Sequence, residues 1–116
     1  MKKKSSKTSP VKDFFGIERQ YSKDKSKCTI NFRVSAEFAA GASSIAVVGS
    51  FNNWNEKSHL LSKDENGDFC LDVEVETGHQ YEFKFIVDES QWVNALNADS
   101  YVWSEYGNCD NSVIYT

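Results

Sequence analysis

Three stretches of this chain alternate between apolar and polar residues, and the alternation limits the possible folds more than any other feature. They span residues 28–35, 69–76 and 81–87. Successive side chains of an extended strand point to opposite faces, so each stretch predicts a β-strand with one buried face. Turn residues separate the stretches, and no long segment has the periodicity of a helix. The pattern predicts an all-β antiparallel sandwich.

Turn residues also mark where the shorter strands end. An Asn-Asn pair at 52–53 predicts a turn, because asparagine tolerates left-handed backbone angles. An Asn-Gly pair at 66–67 predicts a hairpin. Residues 95–110 are predicted to be irregular, with Tyr101 in the core. The shorter strands are predicted at 44–49, 91–94 and 111–115.

Charge is distributed unevenly along the chain. Residues 1–27 carry nine basic and three acidic groups, whereas residues 28–116 carry four basic and fourteen acidic groups. The net charge of −4 is therefore the sum of +6 and −10. The acidic body disfavours nucleic acid and anionic membranes, whose binding depends on cationic contacts. We therefore expect neither nucleic acid nor a membrane among the partners.

The chain divides into a basic, largely disordered leader at 1–26 and a β-sandwich at 27–116. Phe14, Ile17 and Tyr21 are spaced as on one face of a helix, which predicts a short helix within the leader. The first residues stay polar where a signal peptide would be apolar, and no apolar run approaches the ~20 residues that span a membrane. We expect a cytoplasmic protein.

Residues that commonly carry chemistry are few and far apart. Cys28, Cys70 and Cys109 lack the spacing of a zinc site or disulfide framework, and are expected to be reduced, buried or half-buried thiols. His59 and His79 are expected to have surface or turn roles. No phosphate-binding glycine loop and no nucleophile with its base is present. The sequence predicts no metal, no cofactor and no enzymatic activity.

Aromatic and amide side chains near turns are more distinctive. Trp54 and Trp92 each follow a turn closely, Lys84 lies on the outer face of a predicted strand, and Asn111 opens the last strand. Flat rings can stack on the apolar faces of sugars, while amide and ammonium groups hydrogen-bond the hydroxyls. The two tryptophans could instead cap the core, and composition alone leaves both interpretations open.

Three motifs in order resemble a known family. They are Val47–Trp54 (VVGSFNNW), Tyr81–Asp88 (YEFKFIVD) with Trp92 shortly after, and Asn111–Ile114 (NSVI). Together they resemble the glycogen-binding, isoamylase-type family-48 carbohydrate-binding modules, over roughly residues 27–115. Such modules occur in the beta subunits of AMP-activated kinase and at the N-termini of branching and debranching enzymes. This chain more closely resembles short bacterial proteins that consist of such a module alone. The resemblance implies an immunoglobulin-like antiparallel β-sandwich of the early-set type.

The resemblance also implies a site and a ligand. Trp54 and Trp92 match the two stacking rings of the family, and Lys84 and Asn111 match its hydrogen-bonding lysine and asparagine. Tyr106 and Asn108 fall in the loop that contacts the sugar. The implied function is non-catalytic binding of α-1,4-linked glucan, such as glycogen or a starch-like oligosaccharide. These are the candidate site residues: Trp54, Trp92, Lys84, Asn111, Tyr106 and Asn108.

Two departures from the family pattern affect the loop that aims Trp92. The usual Asp-Gly turn before this tryptophan is replaced by residues 88–91, and the Asp-Pro that commonly follows it is replaced by residues 93–96. An alternative function is a protein-interaction or scaffold sandwich that has lost sugar binding, suggested by strand edges and by the apolar stripe of the leader. A glucan-metabolising enzyme or another protein is then a further candidate partner.

Overall fold

A computed structural model describes residues 15–39, 41–104 and 109–116. These residues form nine β-strands and one short 3-10 helix. The predicted fold class is confirmed, since the strands form an immunoglobulin-like antiparallel β-sandwich. The strands are β1 Phe15–Tyr21, β2 Lys27–Val34, β3 Ile45–Gly49, β4 Ser62–Lys63, β5 Phe69–Glu76, β6 Gln80–Val87, β7 Gln91–Val93, β8 Ser100–Ser104 and β9 Cys109–Tyr115, and the 3-10 helix is Ser50–Asn52.

The strands form two sheets. The first has the order β1-β2-β5-β4 and the second the order β3-β6-β9-β8, with β7 also paired to β6. Strand β9 pairs with β6 as far as Phe83, and β7 pairs with β6 from Phe85 onwards. Because β3 occupies the opposite edge of β6, β9 and β7 follow each other along the same edge. The second sheet thus brings three other segments of the chain, β3, β7 and β9, beside β6.

The core between the sheets is centred on phenylalanine rings. Phe32 of β2 meets Phe83 and Phe85 of β6 edge to face, with ring centroids 5.3 and 6.1 Å apart. All three side chains are fully buried. Edge-to-face contact is a favoured aromatic geometry, so the alternating apolar residues that predicted β2 and β6 also join the two sheets.

The predicted helix near the N-terminus is wrong for its described part, where residues 15–21 form β1. Phe14 lies outside the described residues. Every residue of β1 pairs with β2, and Ile17, Arg19 and Tyr21 lie opposite inward-facing residues of that strand. A helix of this length is marginal on its own, whereas pairing satisfies the backbone and buries Ile17. The first sheet therefore includes residues that precede position 27.

The prediction of irregular structure over 95–110 missed β8, and Tyr101 is not a core residue. Strand β8 pairs only with β9 among the described residues and forms one edge of the second sheet. Tyr101 lies opposite Ser112 but remains 45% exposed. An edge strand is covered on fewer sides than a central one, so its large side chains stay accessible.

Arg19 and Asp99 form an ion pair that joins β1 to the second sheet. The same carboxylate accepts a hydrogen bond of 2.8 Å from the Tyr115 backbone N–H. Burial alone would raise the pKa of Asp99, but the hydrogen bonds from Arg19 and Tyr115 and the charge of Arg19 lower it below its ordinary value of 3.8. A carboxyl group with a lowered pKa in the folded state stabilises the fold above that pH range.

Asp99→Asn is expected to lower the free energy of unfolding by about 1–2 kcal/mol near neutral pH, because charge-assisted hydrogen bonds are lost. The wild-type Asp99 carboxylate adds to the free energy of unfolding at pH values above the ordinary carboxyl pKa. This contribution is lost as the pH falls through the lowered pKa of the folded state. The difference between the two proteins should therefore shrink in acid. Urea unfolding at about pH 7 and about pH 3 measures this. Glu74→Gln, which changes an exposed carboxylate on β5, is the control and should show little difference at either pH.

The three cysteines match their prediction in burial. All are free; Cys28 is buried, and Cys70 and Cys109 are partly buried. Within the described ranges, no helix is long and apolar enough to cross a membrane.

Candidate functional site

The chain turns sharply where β3 ends, and this turn presents Trp54. After Gly49 and the 3-10 helix, Asn53 and Trp54 adopt left-handed backbone conformations with φ of 56° and 59°. The Trp54 N–H donates a hydrogen bond of 2.9 Å to the Gly49 carbonyl. A positive φ is unusual for a bulky residue, and such conformations concentrate at functional sites. The turn predicted from the Asn-Asn pair is confirmed.

The Asn52 side chain holds this turn together. Its Oδ1 accepts a hydrogen bond of 2.9 Å from the Gly49 N–H, and its Nδ2 donates one of 3.2 Å to the Val47 carbonyl. The same amide nitrogen lies 3.0 Å from Nδ1 of His59. His59 therefore has the turn role expected of it, and a single amide ties the end of β3 to the segment that follows Trp54.

The outer face of β6 carries the polar candidate residues. Glu82, Lys84 and Ile86 alternate along this face, away from the core phenylalanines. Trp92 of β7 lies directly opposite Ile86, and cross-strand partners share a face. Val113 of β9 lies opposite Glu82, which places residue 111 on the same face as well.

Lys84 and Asn111 are brought together on this face, and both are largely buried. Lys84 is 6% exposed and Asn111 is 7% exposed. The Lys84 ammonium donates to the Asp110 carbonyl at 2.8 Å and lies 3.4 Å from Sγ of Cys109. The Asn111 amide donates to Oε1 of Glu82 at 3.1 Å. Hydrogen bonds thus fix both groups in position. Both side chains are less exposed than their predicted place on the outer face of the sheet suggests.

Two residues that support this arrangement were not predicted from the sequence. Glu82 orients the amide of Asn111, and the Asn94 amide donates to the Asp110 carbonyl at 3.0 Å, the same acceptor that Lys84 uses. Glu82 alternates with Lys84, which is a signal that it shares a face. Nothing local to Asn94 indicates its partner, because the contact depends on β7 following β9 along β6.

The candidate tryptophans are both accessible. Trp54 is 36% exposed and Trp92 is 44% exposed. Gly49, to which Trp54 is hydrogen-bonded, lies opposite Phe83, and Trp92 lies opposite Ile86. These two points on β6 are about 10 Å apart at the rise of a strand. The backbones of the two tryptophans therefore flank the segment of β6 that contains Lys84.

A tight hairpin positions Trp92 despite the missing Asp-Gly turn. Asp88 and Glu89 have φ of 51° and 64°, and Ser90 N–H donates to the Val87 carbonyl at 3.1 Å. Two successive positive φ angles are typical of a type I′ turn, and the pairing of Val87 with Gln91 leaves three residues in the hairpin loop. The Asp88 carboxylate also accepts the N–H of Ser44 at 3.0 Å. In the family pattern a glycine, with its wide range of backbone angles, occupies this turn. Here the hydrogen bond of the Asp88 side chain stabilises the turn instead.

The remaining two candidates, Tyr106 and Asn108, lie outside the described residues. Among the residues that the structure describes, no group of three or more His, Cys, Asp or Glu side chains could hold a metal ion. The described surface combines accessible rings, a fixed ammonium and a fixed amide. Such a combination suits a ligand that has both apolar faces and hydroxyl groups.

The family assignment follows from a comparison with family profiles. The profile described as the glycogen recognition site of AMP-activated protein kinase matches residues 32–114. The chain belongs to this family. A search among curated proteins finds no significant match.

The match covers every element of the candidate site in this glycogen-recognition module. It begins within β2 and ends within β9, and so includes the Trp54 turn, β6, the β6–β7 hairpin and Asn111. Strand β1 lies outside the matched range. The family is one of carbohydrate-binding domains, and this confirms the resemblance that the sequence motifs indicated.

Proposed function

We propose that the chain is a non-catalytic module that binds α-1,4-linked glucan on the outer face of its second sheet. Trp54 and Trp92 stack on glucose rings, and Lys84 and Asn111 hydrogen-bond hydroxyl groups between them. The observation that supports this most strongly is that Lys84, Asn111 and Trp92 share one face while both tryptophans remain accessible.

The polar groups of Lys84 and Asn111 are held in position before a ligand binds. A lysine ammonium has three donors, and Lys84 uses two of them on Asp110 and Cys109 among the described residues. One donor is therefore left for a hydroxyl group. Among the described residues, the Asn111 side chain bonds only Glu82, so its carbonyl oxygen and one amide hydrogen remain for a ligand. Groups that are already held in place lose little conformational entropy when a ligand binds.

The affinity for a short glucan is expected to be modest. A site with two accessible stacking rings and largely buried polar groups corresponds to dissociation constants from micromolar to millimolar, or roughly −8 to −4 kcal/mol. Tight retention on a polymer then requires several sites to act together.

Trp92→Ala and Trp54→Ala are each expected to weaken binding of maltoheptaose at least about tenfold, because each removes a stacking surface. Isothermal titration calorimetry with maltoheptaose and β-cyclodextrin measures the loss. Trp103→Ala is the matched control: this ring is 60% exposed but lies on the other side of the sheet, opposite Asp110. The Trp103→Ala variant should bind maltoheptaose with the same affinity as the wild type.

A β-1,4-linked oligosaccharide of equal length tests linkage specificity and should not bind measurably. The proposal fails if the wild type produces no heat and no amide chemical-shift change with millimolar maltoheptaose. It also fails if Trp103→Ala loses as much affinity as Trp92→Ala.

The alternative of an interaction sandwich without sugar binding has lost one of its two supports. The apolar stripe assigned to a helix does not exist in the described part, since Ile17 is buried within β1. The other support, exposed strand edges, concerns a different part of the molecule and is compatible with sugar binding.

A further inference from the structure

Strand β8 is an edge strand whose outer side is open in the described structure. The edges at β1 and β3 are each covered in part. At β1, the Asn97 side chain bonds both the N–H and the carbonyl of Ile17, at 3.0 and 2.9 Å. At β3, Leu60 forms a bridge with Ala46. Strand β8 pairs with β9 on one side and with no other described strand on its second side.

The composition of β8 is unusual for an exposed edge. Its five residues, Ser-Tyr-Val-Trp-Ser, include no charge and no proline, although charged residues make up 26% of the chain. Natural proteins usually protect open edges with lysine, proline or a bulge. Tyr101 and Trp103 also expose two large rings on the same side, 45% and 60% accessible. An unprotected edge with exposed aromatic rings marks an interaction surface.

We propose that β8 pairs with β8 of a second copy of this chain, in antiparallel orientation about a two-fold axis through Val102. This register is self-complementary. It places Tyr101 of each copy opposite Trp103 of the other, and aromatic cross-strand pairs stabilise antiparallel strands. The four rings then meet on one side of the joined sheet, where each copy alone leaves two rings in solvent.

Charge favours a second copy over a charged partner at this edge. Two molecules of net charge −4 repel each other, but the paired strands themselves contribute no charge. The carboxylate just before β8, Asp99, is already paired with Arg19. A basic partner is expected to bind a strand that carries acidic residues, and β8 has none.

The area involved indicates a weak, reversible dimer. Large aromatic side chains bury about 150–250 Å² each when fully covered, and only part of the rings on β8 is available. The surface that four partly exposed rings and one strand pair can bury is smaller than the ~1,200 Å² buried in typical stable complexes. The dimer therefore forms at high local concentration, such as that on a polymer with many copies bound.

The dimer geometry also has a functional consequence, which rests on the proposed function. A two-fold axis perpendicular to the sheet keeps both outer faces on the same side. Strands β6 of the two copies are then separated by five strand spacings, or about 24 Å. Two glucan-binding faces side by side raise retention on a long or branched polymer without any change in affinity for a short oligosaccharide.

Sedimentation equilibrium between about 10 μM and 1 mM protein tests the pairing. The mass of the wild type should rise from 13.2 kDa towards twice that value, and Trp103→Lys should remain monomeric. Leu60→Lys, which changes an exposed apolar residue at the opposite edge, is the control and should dimerise as the wild type does. A wild type that stays monomeric overturns the proposal, as does a Trp103→Lys variant that dimerises equally.

Tyr101→Lys is a second disrupting variant, and amide spectra of each variant establish that the fold is retained. Because the mass measurement needs no sugar, it decides the pairing even if the glucan proposal fails. If glucan binds, Trp103→Lys should keep the wild-type affinity for maltoheptaose and lose retention on glycogen. Unchanged glycogen retention would overturn the bivalent geometry.

Discussion

Replacing Gly49 by alanine is expected to lower the free energy of unfolding by about 3 kcal/mol or more, because the site has no room for a methyl group. A Cβ at this position would lie 2.8 Å from the Phe51 ring and 2.9 Å from Cβ of Phe83, and closer still to the Glu82 carbonyl oxygen. Two of these obstacles are backbone or core atoms of β6 and cannot move independently. The backbone angle is not the cause, since φ of −175° is extended.

Gly78→Ala separates crowding from backbone conformation. Gly78 has a φ of +79° and nothing within 4 Å of an added Cβ, so alanine there costs only the left-handed conformation, about 1–2 kcal/mol. Urea unfolding of the two variants gives the comparison. Equal destabilisation would contradict the close packing of the β3 end against β6, on which the position of the Trp54 turn depends.

Asn52→Ala is expected to cost about 2–3 kcal/mol, because one truncation removes the hydrogen bonds to Gly49 and Val47 and the contact with His59. Each such bond contributes about 0.5–1.5 kcal/mol, and partly buried groups left unpaired add to the loss. Gly49, whose carbonyl accepts the Trp54 N–H, loses one of its hydrogen bonds at the same time. Glucan affinity should therefore fall together with stability.

Asn55→Ala is the matched control for Asn52→Ala. Asn55 is an exposed asparagine of the same turn, and its side chain accepts a hydrogen bond from the Lys57 N–H. Its replacement should cost a few tenths of a kcal/mol. Urea unfolding and maltoheptaose titration of both variants measure the difference in stability and in affinity. If Asn52→Ala has the stability of the wild type, the turn does not depend on the Asn52 amide.

Much of the sandwich could be predicted from local patterns. Strands β2, β5 and β6 alternate in sequence because one face of each is buried, and the structure confirms them. The Asn-Asn turn was predicted for the reason that the structure shows, a left-handed backbone at Asn53. Four candidate residues, Trp54, Lys84, Trp92 and Asn111, could be named from motif spacing, although their role in glucan binding stays a prediction.

Other features depend on which strands become neighbours. Residues 15–21 have apolar positions compatible with a helix, and only pairing with β2 makes them a strand. Strand β8 is an edge strand whose two rings stay partly exposed, so no alternation of buried and exposed residues predicted it. Asn94 and Glu82 acquire partners only through the register of β9 and β7 along β6.

The sequence by itself determined the strand periodicity, the tight turns and the family, because these follow from side-chain direction and backbone preference over a few residues. Tertiary structure alone decided that Lys84 and Asn111 are buried, that the tryptophans are accessible, and that one uncharged edge is open. Burial and strand pairing depend on residues far apart in the chain, and no local pattern encodes the distance between them.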